Sequence, residues 1–590
     1  MQFRQAILVA DRQTYQLVPG KSNSFETFFA DFQCDVVSTQ ETKYSIFLHP
    51  KQDITLQRLE IQLDMPLSAA AHFFANGYQS WSESRWMPVD GHIPRLRRMA
   101  RRHMGNYGDE MIAGIPHGPG LLHSWTYTLL QDAPETVIFL GSLNESTGFT
   151  LFLYDRRNSI LTIRKDLEGL QLSHSFPALD FVVLKMGEQD AYDAYFQLLD
   201  IKPPAAPPAI GWTSWYRHFT HISELVLMKN LDSFAAFYAT LGHSEYQTVA
   251  HVAAEKSAAF FQIDDGWQTE VGDWLSVKPA FPGGMGRMAA QIREKGLKPG
   301  LWLAPFVASR KSDLFQKHPD WLLKDHKNKP LKVGWNPLWG GWYYALYFYH
   351  PGVQSYLAGV FHMVCEKWGY ELLKLDFLFA VCLAPPPGKT RGQVMYEAME
   401  FLRHLVGNKR ILACGAPLGS CFGLVDYCRI GGDIHLRWEH RLLAFLRHRE
   451  RVSTIASLRS TLHRWSLNGR AFHNDPDVFI LRNDHQHLSA VQQQTVLVIN
   501  VLLGNLLFTS DDVGEYSSEQ IAEFSEALAL RGSRVQAVSE LENDLYRIDF
   551  EYHGQAYAAY CNLNKKGRNI VPNGGQAMLL AGYETIILSQ

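Results

Sequence analysis

Between residue 209 and about residue 525, short apolar runs alternate with helix-period segments, and the alternation repeats eight times. The strand-like runs are "AIGWTSW", "FFQIDDGW", "KPGLWLAPF", "ELLKLDFLF", "RILACGAP", "VDYCRIGGD", "DPDVFIL" and "NLLFTSDD". Between them lie helical stretches such as "GMGRMAAQIREKG", "PGVQSYLAGVFHMVCEKWG" and "GQVMYEAMEFLRHLVG". Strands this apolar are covered on both faces, and parallel neighbours need a helical crossover to connect them. Eight such units predict a (β/α)8 TIM barrel over residues 209–525.

The flanks obey a different period. Residues 1–200 carry runs with alternation of two, such as "YSIFLHP" and "ITLQRLEIQLDMPL", broken by Gly, Asn, Ser and Asp. This pattern predicts an N-terminal β-sandwich domain. In "IKPPAAPPAIGW" four prolines forbid helix and central strand alike, so the segment reads as an interdomain linker. Alternation returns near residue 530 ("LYRIDFEYHGQAYAAYCNL"), which predicts a small C-terminal β domain over 530–590. The expected class is therefore multidomain α/β, in keeping with 590 residues, too many for one ordinary core.

Charge and cysteine usage exclude several functions. A net charge of −3, with both signs spread along the chain, gives no footprint for nucleic acid or a membrane surface. No apolar run approaches the roughly 18–20 residues that span a bilayer, and the N-terminus lacks a signal-peptide layout. Seven widely spaced cysteines without a CxxC pair suggest reduced thiols and a cytoplasmic location. HExxH is absent, and the Gly-rich "FPGGMGRM" lacks P-loop and dinucleotide spacing, so neither metal nor cofactor is expected.

In a barrel of this kind the chemistry sits at the C-terminal strand ends. Read there, the chain supplies Trp215 and Tyr216, then Asp264, Asp265 and Trp267, then Trp302 within the third strand. The fourth strand carries Lys374 and Asp376, the fifth Cys414, the sixth Arg429 with Asp433 four residues on. Asp475 and Asp477 follow at the seventh, Asp511 and Asp512 at the eighth. Any single Asp here is ordinarily a cap or turn residue, and a Lys–Asp pair on a buried strand is costly. Their clustering at one predicted end is what favours a site. Carboxylates, indoles and two cations suit a sugar: indoles stack on a pyranose face and charged groups bond its hydroxyls. Two of the carboxylates then suffice to cleave a glycosidic bond.

At this point the residues resemble a family. "FFQIDDGWQTEVGDWLSVKPAFPGGMGRMAAQIREKGLKPGLWLAPF", "LLKLDF", "ILACGAPLGSCFGLVDYCRIGGD" and "HNDPDVFILR" resemble the melibiase-type α-galactosidases of glycoside hydrolase family 36. "GWTSWY" and the N-terminal "NGYQSWS" extend the similarity over most of the chain. The resemblance implies a retaining exo-α-galactosidase acting on small α-galactosides such as melibiose or raffinose. It implies Asp376 as nucleophile and Asp433 as general acid/base. Asp264 and Asp265 would bind the C4 and C6 hydroxyls, Lys374 the C3/C4 side and Arg429 the C2 hydroxyl. Trp215, Tyr216 and Trp302 would line the sugar pocket, Cys414 would sit near C2, and Trp81 would wall the pocket from above. Lys374 would then hold Asp376 ionised, while Asp433 would need a raised pKa and a proton at rest.

The sequence departs from the family near Tyr347, where "YYALYFYHP" replaces an expected Asp; that position reads as structural. The loop "VGWNPLWGGWYY" admits two readings, core cover or an aglycone-stacking surface. Alternatives are an α-N-acetylgalactosaminidase, a galactosyl-transferring relative, and, more distantly, a sugar-binding protein without catalysis. Oligomeric state is not legible in the sequence.

Overall fold

The computed structural model of the protein describes residues 2–17, 30–36, 40–241, 258–572 and 575–590. Two seven-stranded sheets, each antiparallel throughout, occupy the N-terminal part. In the strand Ile54–Asp64, alternation aims Leu59, Ile61 and Leu63 inward, and all three are fully buried. They share one apolar core with Ile46, Leu130, Leu140 and Phe181 of the other sheet. Helix Glu188–Leu198 follows, its Tyr192 and Tyr195 packed on Phe139 with ring centroids 5.3 and 4.9 Å apart.

The proline-rich segment after it is tied to the underside of the barrel. Pro208 O accepts from Ala258 N at 2.8 Å, Pro207 O from the Tyr427 hydroxyl at 2.6 Å, and Ala206 O contacts His473 Nε2 at 2.6 Å. Four prolines leave carbonyls without matching N–H donors, and the lower strand ends use those carbonyls.

The eight expected strands all form and pair in parallel: Ala209–Thr213, Ala258–Ile263, Lys298–Leu303, Leu372–Leu375, Arg410–Ala413, Tyr427–Arg429, His473–Asp475 continued by Val478–Phe479, and Leu506–Thr509. Pro476 breaks the seventh strand, one half pairing with the sixth and the other with the eighth, so the sheet closes through the interruption. The helices carry their own start and stop signals. Thr390 and Gln393 form a capping box on Arg391–Val406. Pro351 opens Pro351–His362, which runs into a π turn ending at Gly369 with φ +80°. After Ser518–Ala529, a four-stranded antiparallel sheet (Arg534–Glu542, Leu545–Tyr552, Gln555–Asn562, Thr585–Ser589) ends the chain. No described helix is long and apolar enough to cross a membrane.

Candidate active site

A cavity of about 720 Å³ opens at the C-terminal ends of the barrel strands. Asp264, Asp265, Lys374, Asp376 and Asp433 line it together with Trp81, Trp215 and Trp302. Eight of the eleven residues expected from the sequence thus converge on one space.

Asp376 sits at the end of the fourth strand. The next residue, Phe377, adopts φ +54°, an uncommon left-handed conformation for an aromatic residue, and this turn brings its N–H to Asp376 Oδ1 at 2.9 Å. Trp302, in register beside Lys374 on the third strand, donates Nε1–H to Asp376 Oδ2 at 3.0 Å. Each oxygen therefore has one fixed donor and spare acceptor capacity toward the cavity.

The Lys374 ammonium donates to Asp264 Oδ2 at 2.9 Å, so Asp264 is its ion-pair partner. Burial alone would depress the Lys374 pKa, but Asp264, joined by Cys414 and Asp376, raises it overall. Asp376 feels Lys374 only as a nearby charge. Burial raises the Asp376 pKa, Lys374 opposes the rise, and Asp433 adds to it. Lys374 thus favours the ionised form of Asp376 through space, as expected, while the second strand supplies the closer carboxylate that is its ion-pair partner.

Asp265, beside it, is held by two side chains. Gln268 Nε2 donates to Oδ1 at 2.6 Å and Trp339 Nε1 to Oδ2 at 2.7 Å. Burial pushes its pKa up to about 6, against those two donors and with help from Asp264. Trp339 is one of the three tryptophans, with Trp335 and Trp342, for which the aromatic loop left two readings open. It is buried and faces inward, while Trp335 stays half exposed.

Asp433 accepts from Arg429 Nη1 at 2.7 Å through Oδ1, and its side chain keeps one third of its surface exposed. Arg429 itself is almost wholly buried and also pairs with Asp475 (3.0 Å) and Asp477 (2.9 Å). The Tyr216 hydroxyl donates to Asp477. Arg429 and Tyr216 accordingly lie in a layer beneath the cavity and are not part of its lining. Cys414 is outside the lining too, its Sγ accepting from Trp81 Nε1 at 3.2 Å.

The lower aspartates are structural. Asp511 is fully buried and accepts from Leu481 N, Arg482 N, the Arg482 guanidinium and the Tyr516 hydroxyl. Asp512 pairs with Lys229 at 2.8 Å. Tyr347 is absent from the cavity lining, as its structural reading requires. No group of three or more His, Cys, Asp or Glu among the described residues has the makings of a metal site.

The roof comes from the N-terminal part. Trp81 lies edge-on to Phe377, centroids 5.0 Å apart, over Gly415. Gly415 has φ +59°, and a Cβ there would approach the indole to 3.0 Å, so only glycine admits this close packing. The loop carrying Trp81 is fixed by Arg464, which is fully buried yet donates to Asn76 Oδ1, Ser80 O and Ile430 O at 2.9–3.0 Å. Sequence reading missed Arg464, Tyr107, His448 and Glu450. Only Tyr107, in an aromatic-containing loop, carried any local signal.

A barrel with carboxylates and indoles converging at its C-terminal mouth is the build of a carbohydrate-cleaving enzyme, a glycoside hydrolase. The Melibiase family model matches residues 217–393. The chain is similar to α-galactosidase AgaA of Geobacillus stearothermophilus, 34% identical over 115 residues, 18% of this chain and 16% of AgaA. It is also similar to an A type blood α-D-galactosamine galactosaminidase of Flavonifractor plautii, 30% identical over 176 residues, 26% of this chain and 16% of that one. These matches thus span about a sixth of the curated relatives' length. Among solved structures, the α-galactosidase TtGalA of Thermus thermophilus, in complex with p-nitrophenyl α-D-galactopyranoside, superposes with a TM-score of 0.69 at 26% identity. That match covers 94% of this chain and 98% of TtGalA. In sequence over residues 217–393 and in fold over most of its length, the chain is similar to the melibiase-type α-galactosidases.

Proposed function

We propose that the protein is a retaining exo-α-galactosidase that releases terminal α-linked galactose from galacto-oligosaccharides such as melibiose or raffinose. One observation carries the reading: Asp376 stands on the cavity floor with both oxygens oriented by Trp302 and Phe377, while Asp433 lines the same space. Asp376 attacks the anomeric carbon as Asp433 gives its proton to the leaving oxygen. The glycosidic bond breaks, the aglycone departs as an alcohol, and a galactosyl ester forms on Asp376. Asp433, now a carboxylate, takes a proton from water, whose oxygen attacks the same carbon. Galactose leaves with its original anomeric configuration. This double displacement requires the two carboxyl groups to work about 5–5.5 Å apart.

Asp264 and Asp265 accept from the C4 and C6 hydroxyls in this proposal, and Lys374 donates on the C3/C4 side. Trp215, Trp302 and Trp81 enclose the ring. Arg429 and Tyr216 act from the layer below, through Asp433 and Asp477, and Cys414 acts from outside the lining, through Trp81. Residues 1–200 are proposed as a β-sandwich, 209–525 as the catalytic barrel and 530–590 as a separate β domain; the shared core of the first two sheets supports the first of these. Cytoplasmic residence is proposed from the thiols, six of which are free and buried.

The test is release of nitrophenol from 4-nitrophenyl α- and β-glycosides by the wild type and by Asp376→Ala. Turnover of the α-galactoside alone, lost in the variant, supports the proposal. The Flavonifractor relative favours a second reading, in which the α-N-acetylgalactosaminide is preferred and the two aspartates keep their roles. A folded protein inactive on the whole panel rejects both.

A further inference from the structure

The cavity is not uniform in depth. Its floor is charged and buried, whereas its rim carries Met99, Leu442, Trp335 and Leu338, with 73, 61, 49 and 47% of their surfaces exposed. Four large apolar side chains exposed around one opening are more than scattered surface residues and mark a binding surface. Their supports differ in kind, so the rim is not one frayed loop. Leu442 projects from the short helix Arg441–Phe445, which buries none of its residues, and Trp335 and Leu338 come from the aromatic loop.

Several polar atoms of the outer wall are already engaged. Asn336 Oδ1 accepts from Leu338 N at 3.0 Å, and His440 Nδ1 accepts from Leu443 N at 3.3 Å, each capping its own turn. His103 lies flat against Trp342 with centroids 5.0 Å apart. Glu450 accepts from the Ser82 hydroxyl at 2.5 Å. No arginine lines the cavity among the described residues. A second sugar ring buried here would lose water from its hydroxyls and find few free partners, a cost an apolar group does not bear.

Resting on the galactosidase reading, we infer that the leaving-group side of the site takes an apolar aglycone, an alkyl or aryl group, in preference to a second sugar. The geometry forces the contact. With galactose over Asp376, the bond to be broken faces the opening, and whatever it carries passes between Met99, Trp335 and Leu442. The cavity is continuous from the catalytic carboxylates to these side chains.

The experiment compares methyl, hexyl and benzyl α-galactosides with melibiose, in the wild type and in Met99→Glu and Leu442→Asp. The three glycosides release aliphatic alcohols, so differences in kcat/KM report contacts more than leaving-group chemistry. Hexyl and benzyl substrates are expected to exceed methyl by about tenfold or more, and melibiose to trail both. The charged variants should bring the hexyl-to-methyl ratio close to one with unaltered melting temperature, since both residues are mostly exposed. A gain with benzyl alone narrows the aglycone to aryl groups stacked on Trp335. Equal kcat/KM for methyl and hexyl substrates, or melibiose as the best substrate, overturns the inference and leaves the parent reading standing. A wild-type oligomer dissociated by Leu442→Asp, with no alkyl preference, would assign the rim to self-association instead. No turnover of any α-galactoside overturns both readings.

Discussion

Two layers of buried aspartate share this barrel, a few ångströms apart in depth, and chemistry belongs to only one of them. In the upper layer Asp376 and Asp265 each hold two neutral N–H donors, and both face open space. In the lower layer Asp475, Asp477 and Asp511 are matched to the Arg429 and Arg482 guanidinium groups. Burial is nearly the same in both. The difference is whether the surrounding protein has used up the carboxylate's charge and lone pairs. A fully buried aspartate answered by arginine is finished, whereas Asp433, paired to Arg429 through Oδ1 alone and one third exposed, and aspartates held by indole and amide N–H groups are oriented yet still able to react.

The sharpest way to break this comparison is to exchange consequences. Asp376→Asn should lower kcat/KM on an α-galactoside by about 10⁴-fold or more with little change in stability. Asp511→Ala should instead cost about 3–5 kcal/mol of stability in urea unfolding, because Arg482 is left buried and unpaired. If Asp376→Asn unfolds the protein and Asp511→Ala merely slows it, the two layers have been assigned the wrong way round.

Next in size is Asp433→Ala. Alkyl galactosides, whose leaving oxygen needs a proton, should lose about 10²–10⁴-fold in kcat/KM. A nitrophenyl galactoside, whose leaving group departs as the anion, should lose far less in the first step. Equal losses on both would remove Asp433 from the acid role.

A subtler test concerns the through-space action of Lys374. Lys374→Met removes a cation that opposes the burial-raised pKa of Asp376, so the acid limb of the kcat/KM profile should move to higher pH. An unmoved limb would mean that Lys374 acts only through Asp264.

The smallest effect belongs to Asp265. Its folded pKa of about 6 lies above the value of about 4 expected for an unfolded chain. Between those values the native protein holds a proton that the unfolded chain has released, so stability falls as pH rises through that window. Thermal midpoints of the wild type should show this slope between pH 4 and 6, and Asp265→Asn should flatten it. Trp339→Phe removes a donor to the carboxylate, shifts the titration further upward, and should raise KM several-fold.

The barrel was legible because its signal is periodic: six of the eight strands are largely apolar runs of four to six residues, and even the break at Pro476 stands in the sequence. The converging residues were legible because strand ends in a parallel barrel meet by construction. Depth was not. Nothing near Asp511 in the sequence announces that Arg482 will answer it, and nothing near Lys374 says that Asp264 outcompetes Asp376. Arg429 and Asp433, four residues apart, read equally well as a surface bridge or as a site. The bonds that decided these cases join residues tens to hundreds of positions apart, and periodicity carries no record of them. Trp335 and Trp339 make the same point within one loop, since only packing shows which indole turns inward.

Arg464 has a consequence for how the chain can be divided. Its guanidinium joins carbonyls from residues 77–80 to one from residue 430, and Trp81 rides on that knot. A barrel expressed without the first 200 residues would keep both aspartates and lose the roof above them, leaving the Arg464 cation, of these carbonyls, only that of Ile430. Conversely, the N-terminal sheets alone would present Trp81 to water. The smallest piece that folds and the smallest piece that works are therefore different lengths of chain, and any truncation, fusion or domain exchange has to respect the longer one.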